Sequence, residues 1–185
     1  YLKREDLQLT RSFKIRGSLN KISKYVNCNK KIVCASAGNH AQGVAYSCNL
    51  LGLKGTIFCP KNTPNQKLER ILSLGGNSIN LKICGNNFDE TLDISKKYSE
   101  KYDSFFIHPF DDMDIIKGQA TIGYEIYKEN KNIDTILGCL GGGGLMSGIS
   151  YFYENFDNTK IYGVESKGAE SMKLSIEQNR IIKMK

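Results

Sequence analysis

From about residue 31 onward, short apolar runs alternate with longer amphipathic stretches. The short runs predict strands at 32–35, 56–59, 78–81 and 104–107, with a second set at 135–140 and 160–164. The amphipathic stretches predict helices at 38–51, 63–74, 88–102, 115–128, 144–154 and 169–178. Punctuation agrees with these bounds: Pro64 sits at a helix start, Gly75-Gly76 follows a helix end, and Asp134 and Asn158 precede strands. Ahead of this region, Leu7, Leu9, Phe13, Ile15, Leu19, Ile22 and Val26 recur at roughly helical spacing. Strands alternating with crossover helices of this length imply parallel sheets and right-handed connections. The predicted fold class is α/β. No proline-rich linker, low-complexity tract or sequence repeat divides the chain.

With 185 residues the chain makes one large domain or two small ones. Its 40% hydrophobic and 24% charged residues match a globular protein and exclude wholesale disorder. No apolar run reaches the ~20 residues of a membrane helix, and the nearest candidate, 136–149, is short and interrupted by glycines. The first residues, Tyr-Leu-Lys-Arg-Glu-Asp, lack the apolar middle of a secretory signal, and no starting Met is present. We read the chain as part of a longer, cytoplasmic protein.

The net charge of +7 is confined to residues 1–31, where nine Lys/Arg face only Glu5 and Asp6; the remainder is balanced. A basic arm for nucleic acid is one reading, but the interleaved apolar residues favour a folded segment near a small anionic ligand. Neither nucleic acid nor membrane is expected as a partner. Cysteines stand at 28, 34, 48, 59, 84 and 139 with no Cys-x-x-Cys pair, and neither His40 nor His108 has a cysteine at ligand spacing, so no metal site is expected. Cys34, Cys48, Cys59 and Cys139 fall in apolar stretches and are expected to be buried, reduced thiols.

Two segments carry chemistry. Gly141-Gly142-Gly143-Gly144-Leu145 follows a strand and opens a helix, where converging N–H groups and the helix dipole make a phosphate cradle. Neither nucleotide motif fits: the third Rossmann glycine falls on Met146, and the P-loop lysine position holds Ile149. The phosphate therefore belongs to something other than an ordinary dinucleotide or ATP. The second segment comprises Ser12-Phe13-Lys14-Ile15-Arg16-Gly17 and Ser36-Ala37-Gly38-Asn39-His40-Ala41-Gln42-Gly43. Lys14 stands at a helix start among cations and apolar residues, conditions that depress an amine pKa and suit covalent chemistry with a carbonyl. The free N–H groups and hydroxyl of the Ser36 segment suit a carboxylate, and Asn39 suits a phenolic oxygen. Helix capping by Asn39 and plain packing of His40 are the alternatives.

These motifs, in this order, resemble the threonine dehydratases (threonine deaminases), in the pyridoxal-phosphate family that includes serine dehydratase and serine racemase. The resemblance extends through Phe88-Asp89-Glu90, Ile107-His108-Pro109-Phe110-Asp111 and Ile116-x-Gly118-Gln119-x-Thr121 and covers nearly the whole chain. It implies pyridoxal 5'-phosphate as cofactor and two parallel-sheet α/β domains with the cofactor in the cleft between them. The small domain would span 32–112, and the larger would combine 1–31 with 113–185, incomplete at both ends. Lys14 would bind the cofactor covalently and then take the substrate's Cα proton, with Phe13 beside it. Asn39 would contact the cofactor 3-hydroxyl, and Gly141, Gly142, Gly143, Gly144 and Leu145 its phosphate. Ser36, Ala37, Gly38, Asn39 and His40 would hold the substrate carboxylate, with Pro109 and Phe110 near its side chain.

The implied activity is deamination of L-threonine to 2-oxobutanoate and ammonia, serving isoleucine biosynthesis, in a protein that is a homo-oligomer at full length. A catabolic serine/threonine dehydratase acting also on L-serine, or a serine racemase, shares the motifs. A non-catalytic fragment or regulatory paralogue is the alternative of another class. Family members continue with more of the large domain, including a serine or cysteine facing the pyridine nitrogen, and biosynthetic forms add an isoleucine-binding domain. Glu165-x-x-x-Ala169-x-Ser171 resembles a cation site of some relatives, but Ser171 replaces an acidic residue, and Glu165 is expected as a solvated or helix-capping carboxylate.

Overall fold

The computed structural model describes residues 1–156 and 158–182. The chain forms two compact units, Tyr1–Pro109 and Phe110–Lys185.

In the first unit, a 3-10 turn at Glu5–Leu7 leads to α1 (Lys14–Ser23), β1 (Ile32–Ala35), α2 (Asn39–Leu50), β2 (Gly55–Cys59) and α3 (Asn65–Gly75). A second 3-10 turn, β3 (Ile79–Ile83), α4 (Phe88–Lys101) and β4 (Phe105–Phe106) complete it. All four strands are parallel, in the order β3-β2-β1-β4. β1 and β2 are buried along their whole length, because helices cover both faces of a central parallel strand. Val33, Ala35 and Phe58 form one core with Leu92 and Tyr98 of α4. On α2's side, a Cβ on Gly55 would come within 3.1 Å of Cys48 Sγ.

Two features of this unit aim the site. The chain steps outward from β1 through β2 to β3, then crosses back to lay β4 on the other side of β1. That reversal opens a crevice at the carboxyl ends of β1 and β4, the place where open α/β sheets bind ligands. Small residues also let α1 press onto α2: a Cβ on Gly43 would lie 2.6 Å from Ser18 Oγ and 3.1 Å from the Lys14 carbonyl oxygen. Ser18 Oγ donates to that carbonyl (2.9 Å), and Ser47 Oγ to the Gly43 carbonyl (2.7 Å). A bidentate, largely buried pair between Arg16 and Glu5, both contacts 2.7 Å, ties the first turn to α1.

The second unit contains α5 (Met113–Glu129), β5 (Thr135–Cys139), α6 (Gly144–Tyr153), β6 (Lys160–Val164) and α7 (Ser171–Glu177). β5 and β6 pair in parallel from Thr135–Lys160 to Cys139–Val164. Helices α5 and α6 meet closely at Gly148, where a Cβ would lie 2.7 Å from Gln119 Cβ and from the Ile116 carbonyl oxygen.

The observed elements follow the predicted ones, with strand and helix ends shifted by up to a few residues. Residues 1–31 and 32–109 form one compact unit, joined by the α1–α2 contact at Gly43. The expected range 113–185 ends outside the described residues. One finding differs from expectation. Cys139 is exposed, as are its sheet neighbours Leu137 and Val164, whereas Cys34, Cys48 and Cys59 are buried. A two-stranded sheet packed on one face leaves the alternate side chains uncovered. Among the described residues no helix is long and apolar enough to cross a membrane.

Candidate active site

The crevice of the first unit is built by the segments that leave β1 and β4. Ser36 extends β1, its N–H donating to the Phe58 carbonyl (3.0 Å) while its own carbonyl accepts the Cys59 thiol (3.1 Å). Its hydroxyl accepts the Gly38 N–H (3.1 Å), and the chain then enters α2. The N–H groups of Asn39, His40 and Ala41 at the start of α2 have no acceptor among the described residues, and no acidic side chain stands in that first turn. The exposed Asn39 side chain is likewise without a partner among the described residues.

His40 is 4% exposed, and its Nε2 lies 3.0 Å from the Ile107 carbonyl oxygen. A carbonyl can only accept, so Nε2 carries a hydrogen and donates it to Ile107. Its pKa falls to about 4, chiefly through burial; the Ile107 contact opposes this, and the nearby Lys14 and His108 charges reinforce it. This one bond joins the β1 loop to the β4 loop across the crevice. Two residues further on, the Pro109 carbonyl accepts Lys14 Nζ (2.5 Å). Lys14 is the first residue of α1, its ammonium 5.3 Å from the centre of the Phe13 ring. Burial lowers its pKa below the ordinary lysine value. Ser12 Oγ, two residues away, is buried without a hydrogen-bond partner.

In the second unit, Gly141–Gly144 connects β5 to α6, with Gly143 in the left-handed region at φ +87° as the helix N-cap. The N–H groups from Gly141 to Leu145 have no acceptor among the described residues. A Cβ on Gly142 would collide with the Phe110 ring, and one on Gly144 would lie 3.0 Å from Phe110 Cα. The turn therefore needs glycine for packing as well as for close approach by an anion. It lines a cavity of about 450 Å³ together with Ser147, Ser171 and Met172.

Lys14, Phe13, the Ser36–His40 loop and Pro109 thus belong to the first unit, and Phe110 and Gly141–Leu145 to the second. Sequence reasoning missed the Ile107 carbonyl, for which a backbone acceptor leaves no motif, and Ser147, whose only signal is helical spacing from the glycine turn. It expected the N-terminal cations to surround the ligand. Instead Arg4 pairs with Asp6, Arg16 with Glu5 and Lys30 with Asp103. Glu165 accepts the Met172 and Lys173 N–H groups (3.0 and 2.8 Å) and so caps α7. Among the described residues no cluster of His, Cys, Asp and Glu could hold a metal ion.

A partly desolvated lysine suits an aldehyde and a glycine turn of N–H donors suits a phosphate, so the residues present in each unit fit pyridoxal phosphate. The chain belongs to the pyridoxal-phosphate dependent enzyme family, whose model matches residues 1–185. It is similar to biosynthetic L-threonine dehydratases IlvA: 44% identical to that of Halalkalibacterium halodurans, over 100% of this chain and 45% of the relative, and 46% identical to that of Lactococcus lactis, over 94% and 43%. Among solved structures, the processed threonine deaminase isoform 2 of Solanum lycopersicum superposes with a TM-score of 0.93 at 42% identity, covering 99% of this chain and 53% of that one. Maize serine racemase superposes at 0.89 with 32% identity, covering 97% and 55%. The chain spans about half the length of these relatives.

Two outcomes follow. His40 has a folded pKa of about 4 against 6.5 unfolded, so the native state resists the proton that the unfolded state accepts, and stability falls as pH drops through that window. Urea unfolding at pH 7 and pH 4.5 should show a loss of about 2–3 kcal/mol from this group, absent in His40→Gln. Gly142→Ala should weaken pyridoxal phosphate binding about 10- to 100-fold through overpacking, and Phe110→Ala in the same chain should restore part of the loss in a cofactor titration.

Proposed function

We propose that the protein is a pyridoxal-phosphate-dependent threonine dehydratase, converting L-threonine to 2-oxobutanoate and ammonia in isoleucine biosynthesis. The observation that carries this reading is the partly buried Lys14 amine held on the Pro109 carbonyl at the sheet's reversal point. The names of the relatives, threonine dehydratase and threonine deaminase, support the substrate.

Pyridoxal phosphate, when bound, withdraws electrons from the carbon bearing the amino group, which acidifies its proton and lets the neighbouring hydroxyl leave. Lys14 takes that proton; burial lowers its pKa and so enlarges the neutral fraction that can act as base. Phe13 walls the amine. The N–H groups at the start of α2, with Ser36, Ala37 and Gly38, hold the substrate carboxylate, and Asn39 donates to the cofactor's 3-hydroxyl. His40 acts through its backbone N–H, its ring being committed to Ile107. Gly141–Leu145 holds the phosphate by backbone donors, with Phe110 behind the turn and Pro109 beside the substrate. The working protein is a longer, cytoplasmic homo-oligomer.

Likeness to maize serine racemase keeps one second reading: action on L-serine by elimination or racemisation. The full-length protein, loaded with pyridoxal phosphate and given L-threonine or L-serine, separates them. The proposal expects 2-oxobutanoate and ammonia in equal amounts, with a higher kcat/KM for L-threonine. Formation of D-serine without any 2-oxo acid, or no product from either amino acid, would overturn it.

A further inference from the structure

A groove of about 460 Å³ lies in the first unit between the turn at residues 8–12, the first turn of α2 and α3. It is lined by Arg11, Lys67 and Arg70, with Asn39, Gln42 and Glu69 among the remainder. Three cations thus face one carboxylate, and none of these four charged groups forms an ion pair among the described residues. Such a cluster is self-repelling until an anion enters.

The way Arg11 is held argues that the cluster is built. Its φ is +54°, in the left-handed region where glycine or asparagine is unstrained and a long side chain is not. Strain of this kind persists where surrounding structure over-determines it, and it concentrates at ligand sites. Here the Arg11 N–H closes the turn on the Gln8 carbonyl (2.7 Å), and the preceding Thr10 is fully buried. One residue earlier, the Leu9 carbonyl accepts Arg70 Nη2 (3.0 Å), fastening the second guanidinium to the same turn. The first turns of α2 and α3, which border the groove, carry no acidic residue and no side-chain cap, although helix starts favour negative charge.

We propose that this groove binds a small oxyanion, a carboxylate or a phosphate, between Arg11, Lys67 and Arg70 and next to Asn39. Guanidinium groups suit both, since each offers parallel N–H donors to two oxygens. The anion comes from one of two sources: the carboxylate of an amino acid on its way to the start of α2, where it is held during reaction, or a free phosphate-bearing metabolite. The groove stands on its own residues and does not depend on the threonine assignment.

The test uses the full-length holoenzyme, so that the cofactor's phosphate already fills the glycine turn. Inorganic phosphate is titrated by calorimetry into wild type, Arg11→Gly and Lys67→Ala, and kcat and KM for the amino acid are measured alongside. Arg11→Gly removes a charge and relieves the backbone, so its thermal midpoint should hold or rise while phosphate binding weakens at least about fivefold. If KM rises with kcat unchanged and phosphate competes with substrate, the groove takes the substrate carboxylate. If phosphate binding weakens and KM is unchanged, it takes a free anion. Phosphate affinity equal in all three proteins, or no phosphate binding with unchanged KM in the variants, overturns the proposal whether or not L-threonine is the substrate.

Discussion

The reversal of strand order beside β1 is the constraint on which the first unit's chemistry depends. Because β4 lies on the far side of β1 from β2 and β3, two loops that are 67 residues apart in sequence emerge side by side, bridged by His40 and Ile107. A sheet laid down in simple sequence order would have separated them. The same reversal puts the Pro109 carbonyl within reach of Lys14, which α1 delivers because Gly43 and Ser18 let the helices approach. The Lys14 amine is therefore placed by backbone geometry at both ends: a helix start on one side and a main-chain carbonyl on the other.

Burial decides the protonation states that matter. His40 is kept neutral, and as a neutral donor it can brace the crevice without adding positive charge beside the lysine. Lys14 is shifted in the same direction by the same cause, though it is only partly buried. The glycine turn of the second unit works differently. There the donors are N–H groups of a glycine turn, which carry no titratable charge, and Phe110 fixes the turn by packing where a side chain would otherwise stand. Pre-oriented dipoles cost little reorganisation when an anion arrives.

Much of this was legible in the residues. Apolar runs marked the buried strands β1 and β2 because parallel strands covered on both faces show no alternation, and four glycines marked the strand–helix junction that opens α6. What escaped was set by tertiary contacts with no sequence period. His40 offered no sign that its partner would be a carbonyl 67 positions away. Cys139 sits in an apolar run yet is exposed, since periodicity reports the face of a strand and not how many strands cover it. The nine N-terminal cations looked like a ligand field, but side-chain pairing takes up Arg4, Arg16 and Lys30 locally, and Arg11 turns toward a groove that no motif announces.

The proposed chemistry converges on one atom, the Nζ of Lys14. Borohydride reduction of the full-length protein loaded with pyridoxal phosphate makes the lysine–cofactor bond permanent, and peptide mass mapping then locates it. The cofactor's mass should appear on the peptide containing Lys14 and on no other, with none retained in Lys14→Ala. Cofactor attached at a different lysine, or none attached to wild-type protein, would contradict it.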